Sequence, residues 1–397
     1  METAKYKLSK DKVLVLKTAN CNGKTYLDFQ YPKKGMVQCE DWIDNNRCGN
    51  GLHGALKGEG NGSLFSWDIN AIWLVIEVNL SDIRDCDGKV KFPNGNVIYY
   101  GNRKKATRII YETYHTAVIG GTATAGDEGT ATAGYRGTAI VGYRSTAIAG
   151  DNGKATAGNE GTAIVGYKGT AIAGNKGTAT AGNKGTATAG DEGTATVGDN
   201  GTATAGDEGT ATAGDRGTAI ARYRGTATAG DEGTAIAKYK GTATAGDEGK
   251  ATAGYRGTAI VGYRSTAIAG DNGKATAGNE GIAIVGYKGT AIAGNKGTAT
   301  AGNKGTATAG DEGTATVGYR GTATAGNKGT ATAGNEGTAT AGNGGTAAAG
   351  KKGILIIEYF HSGIRKKIGY IRKNGLCAGK KYKLNSDFKF IKVKTSV

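Results

Sequence analysis

Proline is nearly missing from this chain, with 2 in 397 residues, and histidine stands at 3. Set beside 72 glycines, the shortage of proline excludes a collagen-type helix, which needs glycine at every third position and abundant proline. Cysteine is sparse and irregular: Cys21, Cys39, Cys48, Cys86 and Cys377, with no Cys-x-x-Cys. An odd count at such spacing argues against a disulfide framework and favours a reducing compartment. No apolar run reaches the roughly 20 residues of a membrane helix, so no membrane insertion is expected. The charged start has no apolar signal segment, and a cytoplasmic or phage-derived location is expected. Between His115 and His361 there is neither His nor Cys. The chain therefore lacks a coherent acid/base or nucleophile constellation, and it reads as a non-enzyme with no cofactor and no metal.

What is present is one octapeptide. It first stands complete at Gly121-Thr-Ala-Thr-Ala-Gly-Asp-Glu128 and runs without insertion or deletion to Lys352, in 29 copies. A strict short period dictates architecture before anything else. Positions 2 to 5 alternate as a four-residue strand does, with side chains on opposite faces. Glycines at positions 6 and 1 bracket two polar residues and read as the source of positive φ at a corner. Each octad is then a strand plus a corner, and stacked octads make a β-solenoid. Position 3 is Ala in every copy, whereas position 2 accepts Lys154, Lys250 and Lys274. Lysine is rarely buried without a partner, so the Thr face lies outside and the Ala face inside. A narrow Ala interior favours two facing sheets with 16 residues per coil. The alternative is a three-sided coil of 24, which fits the near-verbatim recurrence of the stretch from Gly134 at Gly254. Asp, Glu, Lys and Arg at positions 7 and 8 suit charge pairing between rungs. The tyrosines that recur at position 7 (Tyr135, Tyr143, Tyr167, Tyr223, Tyr239, Tyr255, Tyr263, Tyr287 and Tyr319) suit partial stacks.

Residues 1–112 read as a small, mostly antiparallel α+β domain and N-terminal cap. Strands are expected at Val13–Leu16, at Ala71–Leu80, and at Lys24–Phe29 pairing with the first. Lys89–Phe92 and Val97–Tyr100 flank Pro93-Asn-Gly-Asn96 as a hairpin. Lys104–Tyr111 is a short helix or a further strand. Gly49-Asn-Gly-Leu-His-Gly54 matches a dinucleotide-binding pattern only in letters, since no apolar strand precedes it. Cys39, Cys48 and His53 are metal-ligand types at no standard spacing. A glycine-rich turn with a buried Cys48 and a hydrogen-bonded His53 is the favoured reading. The runs C-G-N-G-L-H-G, W-L-V-I-E-V, G-K-V-K-F-P and V-I-Y-Y-G resemble an uncharacterised domain of bacterial and phage proteins that precedes octapeptide repeats. That resemblance implies an architecture and no reaction.

The octad itself, as in Ala133-Gly-Tyr135-Arg-Gly-Thr-Ala-Ile140, resembles the repeats of bacterial ice nucleation proteins. The resemblance implies a solenoid that orders water on Thr-x-Thr arrays, with hydroxyls about 6.7 Å apart along a strand and about 4.8 Å between rungs. Here Ile at position 4 and Lys at position 2 interrupt that pattern. On a two-sided coil the longest expected run is five rungs: Thr178/Thr180, Thr194/Thr196, Thr210/Thr212, Thr226/Thr228 and Thr242/Thr244. Ice or another regular surface is the partner this face would take. The plainer reading is that Thr is a good exposed strand residue, and a structural or binding scaffold ranks first.

Charge is uneven in a chain of net +16. Residues 353–397 carry 11 Lys or Arg against 2 acids. They read as a basic, β-hairpin C-terminal cap over an open solenoid end, and a second copy associating through solenoid ends or edges is a candidate partner. Arg365, Lys366, Lys367, Arg372, Lys373, Lys380 and Lys381, interleaved with aromatics, are also candidates for a polyanion. A third alternative is an N-terminal effector domain displayed on the solenoid.

Overall fold

The computed structural model describes residues 6–25, 28–361, 363–372 and 375–393. By internal contacts the chain forms two compact units, Met1–Thr186 and Ala187–Val397.

The first unit begins with seven strands: β1 (Lys12–Ala19), β2 (Gly35–Gln38), β3 (Leu52–Leu56), β4 (Ile72–Asn79), β5 (Arg84–Asp85), β6 (Val90–Phe92) and β7 (Asn94–Gly101). They form one sheet in the order β2-β7-β4-β1-β3-β6-β5, and its pairings are antiparallel. β1 and β4 are apolar on both faces because both faces are covered. One face holds Val15, Leu74, Ile76, Phe92 and Val97. The other holds Leu14, Leu16, Trp73 and Val75 beneath α1 (Arg103–Tyr114). Asn102 caps α1, its Oδ1 accepting from the Lys105 N–H at 2.9 Å, which settles the 104–111 stretch as helix.

Two expectations fail here. β1 pairs with β3 and β4, not with Lys24–Phe29, where the described residues give only a single bridge from Lys24 to Gln30. Pro93–Asn96 is not a hairpin turn. β6 pairs with β3 and β5, and Asn94-Gly95 lies inside β7 beside β4. A Cβ on Gly95 would stand 2.6 Å from Ile76 Cγ2 and 3.0 Å from the Glu77 carbonyl oxygen. That glycine admits a neighbouring strand, which the Asn-Gly letters alone cannot distinguish from a turn.

The octads that follow pair at an offset of 16 residues in each unit. In the first, Thr130–Ala133, Thr146–Ala149, Thr162–Val165 and Thr178–Ala181 lie side by side and parallel. Thr122–Thr124, Thr138–Ile140, Lys154–Thr156 and Thr170–Ile172 form the facing set. The second unit repeats the arrangement, for example Thr194 beside Thr210 and Thr202 beside Thr218. The coil therefore has two sides and 16 residues, and the three-sided alternative is set aside. Position 3 alanines are at most 1% exposed throughout, while Lys154, Lys250 and Lys274 stand outside.

The corners differ from the sequence reading. The residue at positive φ is position 8, at 50–58° wherever it is not glycine, and it is usually Glu, Lys or Arg. The glycines at positions 6 and 1 do not adopt positive φ. They are there for space. A Cβ on Gly313, at position 1, would stand 2.9 Å from Ala309 Cβ and 2.9 Å from the Gly297 carbonyl oxygen. Position 7 carries a ladder that no local pattern announces. Its Asp or Asn Oδ1 accepts the position 7 N–H of the next coil, as from Asp215 to Asp231 (3.0 Å) and on to Asp247 (2.9 Å). The position 6 glycine makes room for this oxygen: a Cβ at Gly214 would lie 2.9 Å from Asp199 N and closer still to its Oδ1. Arg222 is an exception that fits. It occupies position 6 above Asp207, and there the rung from Asp207 Oδ1 to the Tyr223 N–H stretches to 3.4 Å.

Charges pair between rungs as expected, with two contacts of 2.9 Å from Arg216 to Glu232 and 2.8 Å from Arg320 to Glu336. Exposed pairs of this kind contribute about 0–1 kcal/mol each. Tyr223, Tyr239 and Tyr255 stack with centroids 5.3 Å apart at each step.

Both ends of the repeat are covered within their own units. In the first, Trp67 packs on Tyr135 at 5.7 Å, and the Arg136 guanidinium sits 4.6 Å from the Trp67 ring. In the second, the tail supplies an antiparallel strand to each sheet. Ile364–Tyr370 pairs with Ile354–Phe360, and Lys381–Leu384 pairs with Thr346–Ala349. Leu355, Ile357, Ile371, Leu376 and Tyr382 close this end with bulk that Ala cannot provide. Antiparallel covering moves the open edge of one sheet from the repeats to the strand Ile364–Tyr370, whose Arg365, Lys366 and Lys367 discourage the addition of another chain.

Candidate functional site

The Thr face is built from the backbone upward. A four-residue strand places positions 2 and 4 on one side, and the 16-residue coil sets like positions side by side. In the second unit Thr194/Thr196, Thr210/Thr212, Thr226/Thr228 and Thr242/Thr244 are paired residue for residue across four consecutive strands. Thr194, Thr210 and Thr226 are exposed, and Thr196, Thr212, Thr228, Thr242 and Thr244 are half-buried by their neighbours. The next strand ends the array: Thr244 pairs with Ile260, which is 40% exposed, and Lys274 follows. Thr178 and Thr180 belong to the first unit, where they pair with Thr162 and Ile164.

Two smaller arrays were not singled out from the sequence. Thr306/Thr308, Thr322/Thr324 and Thr338/Thr340 stack in one sheet, and Thr298/Thr300, Thr314/Thr316 and Thr330/Thr332 stack in the other. Their signal in the sequence is intact Thr-x-Thr octads sixteen residues apart. A four-strand array spans about 14 Å by 7 Å at ordinary strand spacings. The four strands that carry its hydroxyls consist of Thr, Ala and Val alone. The chemistry it offers is a fixed lattice of weak donors and acceptors.

The described tail residues stand on or beside two strands, Ile364–Tyr370 and Lys381–Leu384. Arg365, Lys366 and Lys367 are exposed on Ile364–Tyr370, but Lys366 Nζ lies 3.1 Å from Glu358 and is paired. Arg372 stands in a turn at φ 70°. Lys380 and Lys381 are exposed beside the second hairpin, and Lys373 lies outside the described residues.

The glycine-rich turn of the N-terminal domain runs directly into β3, with no helix after it. His53 Nε2 accepts the Gly49 N–H at 3.3 Å, as the turn reading requires. Cys48 is exposed, not buried, and its thiol donates to the Cys86 carbonyl at 3.4 Å. Cys39 donates to the Pro93 carbonyl at 3.1 Å. Among the described residues no three His, Cys, Asp or Glu side chains are grouped closely enough to hold a metal.

Parallel two-sided coils, an alanine interior and a covered end define a β-solenoid repeat protein. Comparison with known proteins agrees. The repeat region is 35% identical over 101 residues to an ice nucleation protein of Pseudomonas fluorescens. It is 39% identical over 98 residues to one of Xanthomonas campestris pv. translucens, and 31% identical over 105 residues to ice nucleation protein InaU of Pantoea ananas. The matched stretch is about a quarter of this chain and 6–10% of those proteins, so the chain spans a small part of the relatives it matches. No family model and no solved structure matches it.

Proposed function

We propose that this chain is a non-enzymatic solenoid scaffold and that the four-strand Thr array of its second unit binds a regular lattice of water. The observation that carries this reading is the residue-for-residue pairing of Thr194/Thr196 through Thr242/Thr244. Hydrogen-bonded backbone fixes the spacing of those hydroxyls before any ligand arrives, so little conformational entropy is lost on binding. Similarity to proteins named for ice nucleation supports the choice of water over other regular surfaces.

The test is thermal hysteresis together with droplet freezing, on the full chain and on a Thr210→Lys/Thr226→Lys double variant. Lysine already stands at position 2 at Lys154, Lys250 and Lys274, so the variant keeps the fold. The wild type should shape or hold back ice growth, and the variant should lose most of that effect. Wild-type behaviour equal to that of an inert protein at the same concentration, or an unchanged variant, refutes the water-lattice reading.

A second reading concerns the tail. Ile364 to Ile368 is exposed along its whole length and carries Arg365 and Lys367 free of the Glu358 pair. Polyanion binding there would show as salt-dependent retention on heparin that an Arg365→Ala/Lys367→Ala variant loses.

A further inference from the structure

The N-terminal domain contains a cleft of about 630 Å³, a size ordinary for a small-molecule site. It lies between β1, β3 and the turn that precedes β3, and it is lined by Lys17, Phe29, Tyr31, Glu40, Asp41 and His53 among others. None of these residues takes part in the solenoid.

Lys17 is the unusual member. It stands on the central strand β1 between Leu16 and Thr18, and it makes no hydrogen bond or ion pair among the described residues. Burial first, and repulsion from Lys89 second, bring its amine down to about 8. Lys17 is half-buried, and a cation partly withdrawn from water with no counter-charge of its own is stabilised by one that is added.

Around it the local field is positive. Burial, then Lys89, Lys17 and Lys91 in that order, push His53 down to about 4, and Asp41 opposes them with the smallest effect. His53 is therefore neutral at ordinary pH. Because its Nε2 accepts from Gly49, its proton sits on Nδ1, which is a donor. The wall carrying Gly49 is rigid. Lys91 is fully buried, donates to Asn45 Oδ1 at 2.8 Å and to the Gly49 carbonyl at 3.4 Å, and lies 5.3 Å from the Trp42 ring. The other wall is aromatic, with Phe29 and Tyr31 edge to face at 5.2 Å. Glu40 and Asp41 are exposed at the cleft and would repel an anion placed beside them, so the charge must seat at the Lys17 side.

We propose that this cleft binds a small organic oxyanion, with its charged group on Lys17 Nζ and His53 Nδ1–H and its apolar part against Phe29 and Tyr31. A carboxylate and a phosphate monoester share the required chemistry. The anion supplies the counter-charge that Lys17 lacks, and a charge-assisted hydrogen bond in a partly desolvated site is stronger than a neutral one.

The experiment is competitive acetylation of the full chain at pH 8, read by peptide mass spectrometry, with AMP, benzoate and inorganic phosphate as probes. Without a probe, Lys17 should label readily at pH 8, where about half of it is deprotonated, and that rate is the baseline for each probe. Protection of Lys17 by AMP at about 10 mM, a weak-ligand concentration, assigns the phosphate source. Protection by benzoate assigns the carboxylate source. Protection by inorganic phosphate alone, with neither organic probe effective, overturns the aromatic-wall half of the proposal. Calorimetry on His53→Gln and Lys17→Met should show affinity lower by about tenfold or more, and His53→Gln serves if Lys17→Met does not fold. Labelling of Lys17 that no probe slows, or binding that survives both substitutions, overturns the proposal.

Discussion

Gly313 and Glu312 are adjacent at one corner, and the structure predicts opposite signs for their substitution. Replacing Gly313 by Ala places a Cβ 2.9 Å from Ala309 Cβ, 2.9 Å from the Gly297 carbonyl oxygen and 3.0 Å from that of Gly310. All three are backbone or Cβ atoms of packed coils, so none can swing away. Overpacking of this kind costs about 1–3 kcal/mol. Glu312 sits at φ 57°, where a side chain costs about 1–2 kcal/mol. Replacing it by Gly removes that strain but returns about 0.4–1 kcal/mol of chain entropy to the unfolded state, for a net stabilisation of about 1 kcal/mol. The ion pairs described above do not involve Glu312, which leaves the comparison clean, and Gly344 already occupies position 8 at φ 69°. Urea unfolding followed by far-UV circular dichroism, with wild type and both variants side by side, measures the difference. If the glycines at positions 6 and 1 were instead supplying the positive φ, Gly313→Ala would still destabilise, but Glu312→Gly would have no strain to relieve and would destabilise as well. A destabilised Glu312→Gly, or a neutral Gly313→Ala, refutes the spatial account.

Three further predictions follow from particular contacts. Arg222→Gly should relieve the stretched rung between Asp207 and Tyr223, stabilising by about 0.5–1 kcal/mol; an accompanying Asp207→Ala should cancel the gain, and persistence of the gain would sink the coupling. His53, depressed to about 4 by burial and then by the lysines, stays neutral when folded but protonates in the unfolded chain below its ordinary 6.5. Its contribution, about 3 kcal/mol at most and less after allowing for partial exposure, is present above pH 6.5 and lost as pH falls towards 4, whereas Lys17 adds stability only as pH rises from about 8 towards 10.5. A His53→Gln variant should flatten the acid limb of stability against pH, and an unchanged limb would contradict the assignment. A chain ending at residue 360 uncovers both sheet edges and should self-associate in sedimentation velocity, whereas a monomer would show that the tail does not protect them.

The sequence shows how far periodicity carries an argument. Lysine at position 2 against invariant alanine at position 3 is enough to assign outside and inside, and the narrow alanine interior is enough to choose two sheets. Those are properties of single octads. The corner chemistry is not. Asp215 bonds Asp231, and Gly214 clears space for Asp199, only because a coil closes after 16 residues. Until that number is fixed, Asp and Asn at position 7 look like solvated corner residues. Once it is fixed, the weakened rung beneath Arg222 is the visible exception. The Asn94-Gly95 error has the same root, since a glycine chosen for a neighbour's approach is indistinguishable in letters from one chosen for a turn. The same limit hid the cleft. Lys17, His53, Lys89 and Lys91 are spread over 75 residues of chain and meet because β1, β3 and β6 are neighbours in the sheet. The repeat supplies a surface whose meaning lies in its regularity. The domain before it supplies a cleft in which several lysines act on one histidine, and the two can be tested separately: ice assays on the Thr face leave Lys17 untouched, and Lys17 labelling leaves the Thr face untouched.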